Sequence, residues 1–149
     1  DCDDNKLTSL KGCPITISGS FYCSDNKLTS LEGCPTSVRG SFSCSTNKLT
    51  SLEGCSTAII GAFYCSDNKL TSLKDIHLQI KSIGAEAFFY SNPIKSHVLG
   101  LLLIDGLKQI NIDNSKVEKI INKHLAGDRD VFECQNELME AGLDEYAQL

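Results

Sequence analysis

No stretch of eighteen apolar residues occurs in this chain; the longest strongly apolar run is Val98-Leu99-Gly100-Leu101-Leu102-Leu103-Ile104, which excludes a helical membrane span. Basic charge is not in excess either. With 14 Lys and Arg against 19 Asp and Glu the formal charge is -5, so a nucleic-acid backbone would meet net repulsion. Also missing are a C-x-x-C pair, an N-x-S/T sequon, a phosphate-binding loop, a Ser/His/Asp order and a paired-carboxylate motif, and with them the sequence signals of a zinc site, a glycosylated surface and the common catalytic centres. The three histidines, His77, His97 and His124, are isolated from one another and read as structural or surface residues, not as general bases. Cys134 is the one conceivable nucleophile, but it falls in a helical pattern that implies partial burial. The chain is therefore read as non-enzymatic, with no catalytic residue, metal or cofactor.

What the chain does have is a register. Its 149 residues and 41% apolar content suffice for one hydrophobic core, and the apolar residues recur in step. Cys2, Cys23, Cys44 and Cys65 are spaced 21 residues apart, as are Cys13, Cys34 and Cys55. Asn5, Asn26, Asn47 and Asn68 keep the same interval, and so do two leucine sets beginning at Leu7 and Leu10. Phe21, Phe42 and Phe63 form a further set, and Ile17, Val38, Ile59 and Ile80 another. Self-similarity at this period predicts a solenoid, in which each unit buries its apolar face only against the next.

Eight cysteines would suit a disulfide scaffold in a small secreted protein, yet such scaffolds lack a repeating core. Neighbouring strands of a parallel sheet lie about 4.8 Å apart with side chains pointing the same way, a poor arrangement for the torsion a disulfide needs. Cysteine at these positions reads as a compact core residue, and that usage fits a reducing cytoplasm.

One unit, F-x-C-x-x-N-x-L-x-x-L, resembles the frame L-x-L-x-x-N-x-L-x-x-L of the leucine-rich repeat family, with phenylalanine and cysteine at the two inward strand positions. The resemblance implies short strands stacked in one parallel sheet and an asparagine that bonds the backbone at a tight turn. Gly12-Cys13-Pro14, Gly33-Cys34-Pro35 and Gly54-Cys55-Ser56 then occupy a return arm that is extended or irregular, not helical. The wording C-S-x-N-K-L-T-S-L-E-G-C-P, followed by Pro93-Ile94-Lys95-Ser96-His97-Val98, is similar to leucine-rich repeat proteins of tailed phages over the whole chain. Secreted effectors of enteric pathogens place prolines beside leucines, whereas here only Pro14 and Pro35 fill the comparable turn. The phage resemblance implies a binding scaffold without chemistry of its own, working in the host cytoplasm, or alternatively a structural or accessory component of a virus particle.

Towards the C-terminus the register loosens. Asn92 follows Asn68 by 24 residues, so three extra residues have entered. Residues 1–95 are assigned to the repeats and 96–149 to a helical cap, which a solenoid needs to cover its last apolar end. Within the cap, the apolar run predicts a buried helix started by Ser96, and alternation over 107–112 predicts a final strand. Ser115 with Glu118 reads as a capping box before a helix with the stripe Val117, Ile120, Ile121 and Leu125, closed by Gly127. Asp130 with Glu133 reads as a second box, ahead of an apolar set of Phe132, Leu138 and Met139 that ends at Gly142. Residues 143–149 add a short third turn. At the other end Asp1 and Cys2 start in mid-repeat, which leads to the expectation of further repeats or a cap upstream.

Alternation assigns the displayed positions of the concave face: Tyr22, Ser43, Tyr64 and Phe88 in one column, Ser24, Ser45, Ser66 and Tyr90 in the next. Exposed aromatics on a sheet serve either as binding hot spots or simply as cross-strand packing partners. Tyr22, Ser43, Tyr64, Phe88 and Tyr90 are the candidate binding residues for a protein partner. Asp4, Asp25, Thr46 and Asp67 edge this face, each followed two residues later by a lysine, which predicts local neutralisation. A second candidate surface is the acidic stretch after Arg129, with Asp130, Glu133, Glu137, Glu140, Asp144 and Glu145 and no basic residue.

Overall fold

The computed structural model describes residues 1–149. In chain order its elements are β1 (Thr16–Ile17), β2 (Phe21–Tyr22), β3 (Ser37–Val38), β4 (Phe42–Ser43), β5 (Ala58–Ile59), β6 (Phe63–Tyr64), α1 (Ile76–Gln79), β7 (Ser82–Ile83) and β8 (Glu86–Phe88). A 3-10 helix (Leu99–Leu103), β9 (Gln109–Asn111), α2 (Ser115–Ala126) and α3 (Val131–Glu140) complete the chain. Every strand pairs in parallel with its counterpart in the next coil, which makes the protein a repeat solenoid with a helical C-terminal part.

Two parallel sheets form, not one. The first, in the order β2-β4-β6-β8-β9, carries the phenylalanine and cysteine rungs. The second, β1-β3-β5-β7, runs along the return arm, where sequence reading predicts an extended or irregular path but no second sheet. Its strands are two residues long, too short to show an alternation, and their pairing is a property of the backbone once the first sheet has fixed the spacing of the coils. The three inserted residues fall before β7 and are taken up around α1. Ile59 consequently pairs with Ile83, not with Ile80, which is buried instead at the end of α1.

The core is one cluster running the length of the chain. Phe21, Phe42 and Phe63 stack inside the coils with ring centroids 5.5 Å apart at each step, and Phe89 continues the row 5.8 Å from Phe63. At β8 the large and small positions exchange: Ala87 occupies the rung of Phe63, and Phe89 stands where the other coils have cysteine. Both are fully buried, so the swap conserves volume across the pair, which a close-packed core tolerates well.

Asparagine closes each turn. Asn47 Oδ1 accepts from Leu28 N–H at 2.9 Å, while Nδ2 donates to the carbonyls of Cys23, Cys44 and Ser45 at 3.0 to 3.1 Å. Asn26, Asn68 and Asn92 repeat this between their own pairs of coils. A buried amide with both ends satisfied by backbone rivets two coils together. On the return arm Gly33 and Gly54 hold positive φ angles of 87° and 82°. A Cβ on either would come within 2.8 Å of the preceding coil's backbone, so both conformation and close approach require glycine.

The C-terminal part departs from expectation in its details. The apolar run forms a 3-10 helix whose N-cap is Val98 with no side-chain cap bond; Ser96 instead pairs its backbone with Ser72. Asn114, not Ser115, caps α2, accepting from Lys116 and Val117 N–H, and Glu118 turns back to accept from Ile112 N–H at 2.9 Å. Asp130 caps α3 as anticipated. Its own N–H goes to Asp128, leaving Glu133 no part in a reciprocal box. Residues after Gly142 form the expected short turn, and their carbonyls at Glu145, Tyr146 and Gln148 accept from His97, Val98 and Leu99 N–H. Arg129 adds a second tie, donating to the carbonyls of Ile104 and Leu107. No helix is long and apolar enough to cross a membrane.

Candidate functional site

The outward residues of the five-stranded sheet follow directly from its register. Pairing of β2, β4, β6, β8 and β9 sets Tyr22, Ser43, Tyr64, Phe88 and Asn111 in one row. Four of these are the residues assigned to that column from alternation; Asn111 extends it. Tyr22 and Tyr64 are each 36% exposed and Tyr90, one column over, 46%. Ser43 and Phe88 are half-buried.

The rings are not equivalent. Tyr64 and Phe88 stack face to face, with centroids 4.8 Å apart and planes within 6°. Tyr90 meets Phe88 edge-on at 6.4 Å. These three form one aromatic cluster, and part of their apolar surface is covered by one another, as cross-strand packing requires. Tyr22 stands apart on the far side of Ser43. The next column differs from expectation as well: Ser24 and Ser66 are buried, Ser45 is half-buried, and only Tyr90 is fully exposed there. Ser24 Oγ lies 2.6 Å from Ser43 Oγ, and Asp3 Oδ1 accepts from Ser24 N–H at 2.6 Å.

Charge along the turn edge is arranged by backbone strain. Asp4, Asp25, Thr46 and Asp67 all adopt left-handed conformations with φ between 52° and 54°, which aspartate tolerates better than most residues and threonine poorly. The lysines two residues on form no ion pair with them; the ion pairs of the molecule are Lys11–Glu32, Lys123–Glu137 and His124–Glu137. The local neutralisation read from the sequence therefore does not occur by direct contact.

Between α2 and α3 lies an open cleft of about 700 Å³ lined by polar residues, among them Lys123, His124, Glu133, Glu137 and Glu140. Glu137 Oε2 receives Lys123 Nζ at 2.7 Å and His124 Nε2 at 2.8 Å. The hydrogen bond from Lys123, followed by that from His124, holds the Glu137 carboxyl below its ordinary range, and Glu137 in turn raises Lys123. The acidic cap is thus partly neutralised by α2. Phe132 and Met139 do not join the buried stripe of α3, which consists of Cys134 and Leu138; they are 69% and 50% exposed. They lie seven residues apart and share one helix face.

The remaining chemistry-bearing residues are quiet. Cys134 is fully buried, and burial pushes its thiol up to about 12; Cys34 is pushed up to about 11 for the same reason. Cys23, Cys44 and Cys55 rise too, through desolvation. Burial thus disfavours the thiolate form that a nucleophile needs. Cys23 and Cys44 Sγ instead donate to the carbonyls of Ser43 and Tyr64 on the next coil, at 3.3 and 3.6 Å. His97 Nδ1 sits between Ser72 and Ser96 hydroxyls at 3.1 and 2.9 Å, in a serine pair that carries no acid to complete a relay. No three His, Cys, Asp or Glu side chains converge as metal ligands would. Comparison with protein-family models, with curated proteins and with solved structures yields no match.

Proposed function

We propose that the chain is a leucine-rich repeat module of the tailed-phage type that binds another protein through the outward face of its five-stranded sheet, without catalysis and without a cofactor. The observation that carries this reading is the group of exposed aromatics on the outward sheet face, Tyr22, Tyr64 and Tyr90, beside the half-buried Phe88. Aromatic side chains left on such a face are disfavoured in water and are the residue types that dominate interface energetics. The host cytoplasm is the compartment that buried, protonated thiols suit.

Affinity capture from infected and uninfected cells, run beside the Tyr22→Ala/Tyr64→Ala/Phe88→Ala variant, tests the proposal. The triple variant is expected to lose most of the captured partner while keeping its circular dichroism. Full retention would remove the sheet face from consideration. A second reading, a structural or accessory component of a virus particle docked through its cap, is favoured by the exposed Phe132 and Met139 on α3. Under that reading the protein copurifies with particles, and Phe132→Ser/Met139→Ser releases it.

A further inference from the structure

The aromatic row is broken at one rung. Tyr64 and Phe88, on adjacent strands, stack at 4.8 Å with nearly parallel planes, so one strand step along this row is one ring step. Tyr22 and Tyr64 lie two strands apart, with Ser43 of β4 between them. That separation is roughly 9.6 Å at about 4.8 Å per strand, the room a single planar group needs to lie between two rings.

The floor and surroundings of this slot are polar and acidic. Ser43 and Ser24 hydroxyls meet at its base, and Ser24 N–H is bonded to the carboxylate of Asp3. Farther along the same face, two and three strands from β4, stand Glu86 and Asp113, the latter accepting from Ser91 N–H. No Lys, Arg or His occurs in the outward row or its two flanking columns from Asp3 to Asp113. A neutral ring in the slot would leave the hydroxyls unused, and an ammonium, having no plane, would stack on neither wall. A guanidinium is planar and cationic, stacks on aromatic faces and carries five N–H donors.

We propose that the gap over Ser43, walled by Tyr22 and Tyr64, is a binding slot for an arginine side chain presented by an extended basic segment of a protein partner. This rests on the sheet-face reading above and deepens it. Arginine enters edge-on, its two faces against the tyrosine rings and its donors on the Ser43 and Ser24 hydroxyls, with Asp3 beside Ser24 supplying the nearest complementary charge.

The probe is a soluble Gly/Ser decapeptide carrying two arginines, titrated into the full chain and followed by aromatic NMR signals. Twin peptides with lysine or glutamate in place of arginine serve as comparison. Tyr22 and Tyr64 ring signals are expected to move together, with the arginine peptide binding roughly tenfold tighter than the lysine one and the glutamate one not at all. Ser43→Tyr fills the slot with the ring the row lacks and is expected to abolish peptide binding with the fold intact. Tyr22→Ser removes one wall at the surface and gives the same loss should Ser43→Tyr fold poorly. Equal binding of arginine and lysine peptides, absence of arginine binding, or undiminished binding by the Ser43→Tyr and Tyr22→Ser variants overturns the slot. The capture experiment separates the two readings: a partner lost with Phe88→Ser/Tyr90→Ser but kept with Ser43→Tyr overturns the slot and leaves the face, whereas a partner kept by all variants overturns both.

Discussion

From Cys2 to Asn92 nearly every inward side chain rests on a copy of itself, while from Val98 onward each rests on something different. Phe42 lies between Phe21 and Phe63 and Asn47 between Asn26 and Asn68, so a contact made once is made again one coil on. In the C-terminal part Arg129, Glu118, Asn122 and Tyr146 each make a tie with no counterpart elsewhere. The difference teaches where information sits: in the coils it lies in the interval between residues, in the cap in individual pairings.

The sharpest break in that comparison is Phe63→Ala. Phe63 is fully buried between Phe42 and Phe89, and both lose a neighbour, so denaturant unfolding should show a loss of roughly 3 to 5 kcal/mol. A loss under 1 kcal/mol would mean that the coils do not depend on their stacked rings. Asn47→Ala comes next. It strands the buried Leu28 N–H and takes one of two donors from each of three carbonyls, and a thermal melt should register roughly 1 to 3 kcal/mol of destabilisation. Asn47→Asp keeps the acceptor and loses the donor, so it should fall no closer to wild type than Ala if the carbonyl bonds dominate.

These two effects were foreseeable because interval patterns are legible in a bare sequence. A 21-residue spacing of Cys, Asn, Leu and Phe is sufficient to assign which residues share a rung in the regular coils, and the row Tyr22, Ser43, Tyr64 follows from it; Phe88 follows from the 24-residue step between Asn68 and Asn92. Pairings along the return arm were not legible: two-residue strands leave no periodicity, and Ile80 and Ile83 are equally apolar, so composition could not say which joined the ladder. Nor could it assign Phe132 and Met139, since a helix with apolar residues on more than one side does not declare which side meets the core. The gap at Ser43 was visible as a residue but not as a slot. That required the 4.8 Å stack beside it to set the scale.

Smaller effects sharpen the comparison at single rungs. Thr46 holds a left-handed conformation where the neighbouring coils have aspartate, and its N–H bond to Ser66 O is available to any residue but proline. Thr46→Asn should therefore stabilise by roughly 0.5 to 1 kcal/mol, seen as a raised melting temperature. A drop would show that its methyl group packs usefully. In the cap, the smallest effect expected is a pH response from the exposed Glu137 pair. Its carboxyl is lowered in the folded state, so its contribution is fully present above the ordinary glutamate value of about 4.3. The contribution is lost as pH falls from there through the lowered value. Urea midpoints of wild type and Glu137→Gln should converge on acidification; a constant gap would show that the pair adds no pH-dependent stability.

The constancy of the coil also bears on how such a chain changes length. Excision of residues 23 through 43 joins Tyr22 directly to Cys44, and every inward position, asparagine and turn glycine downstream keeps its place, because what is removed is one whole period. What would change is the surface: Tyr22 would then stand on the strand beside Tyr64, and the row of rings would run unbroken to Phe88. In this fold a single coil gained or lost keeps the register of the core, though it adds or removes one coil's worth of burial, and it rewrites the message on the face.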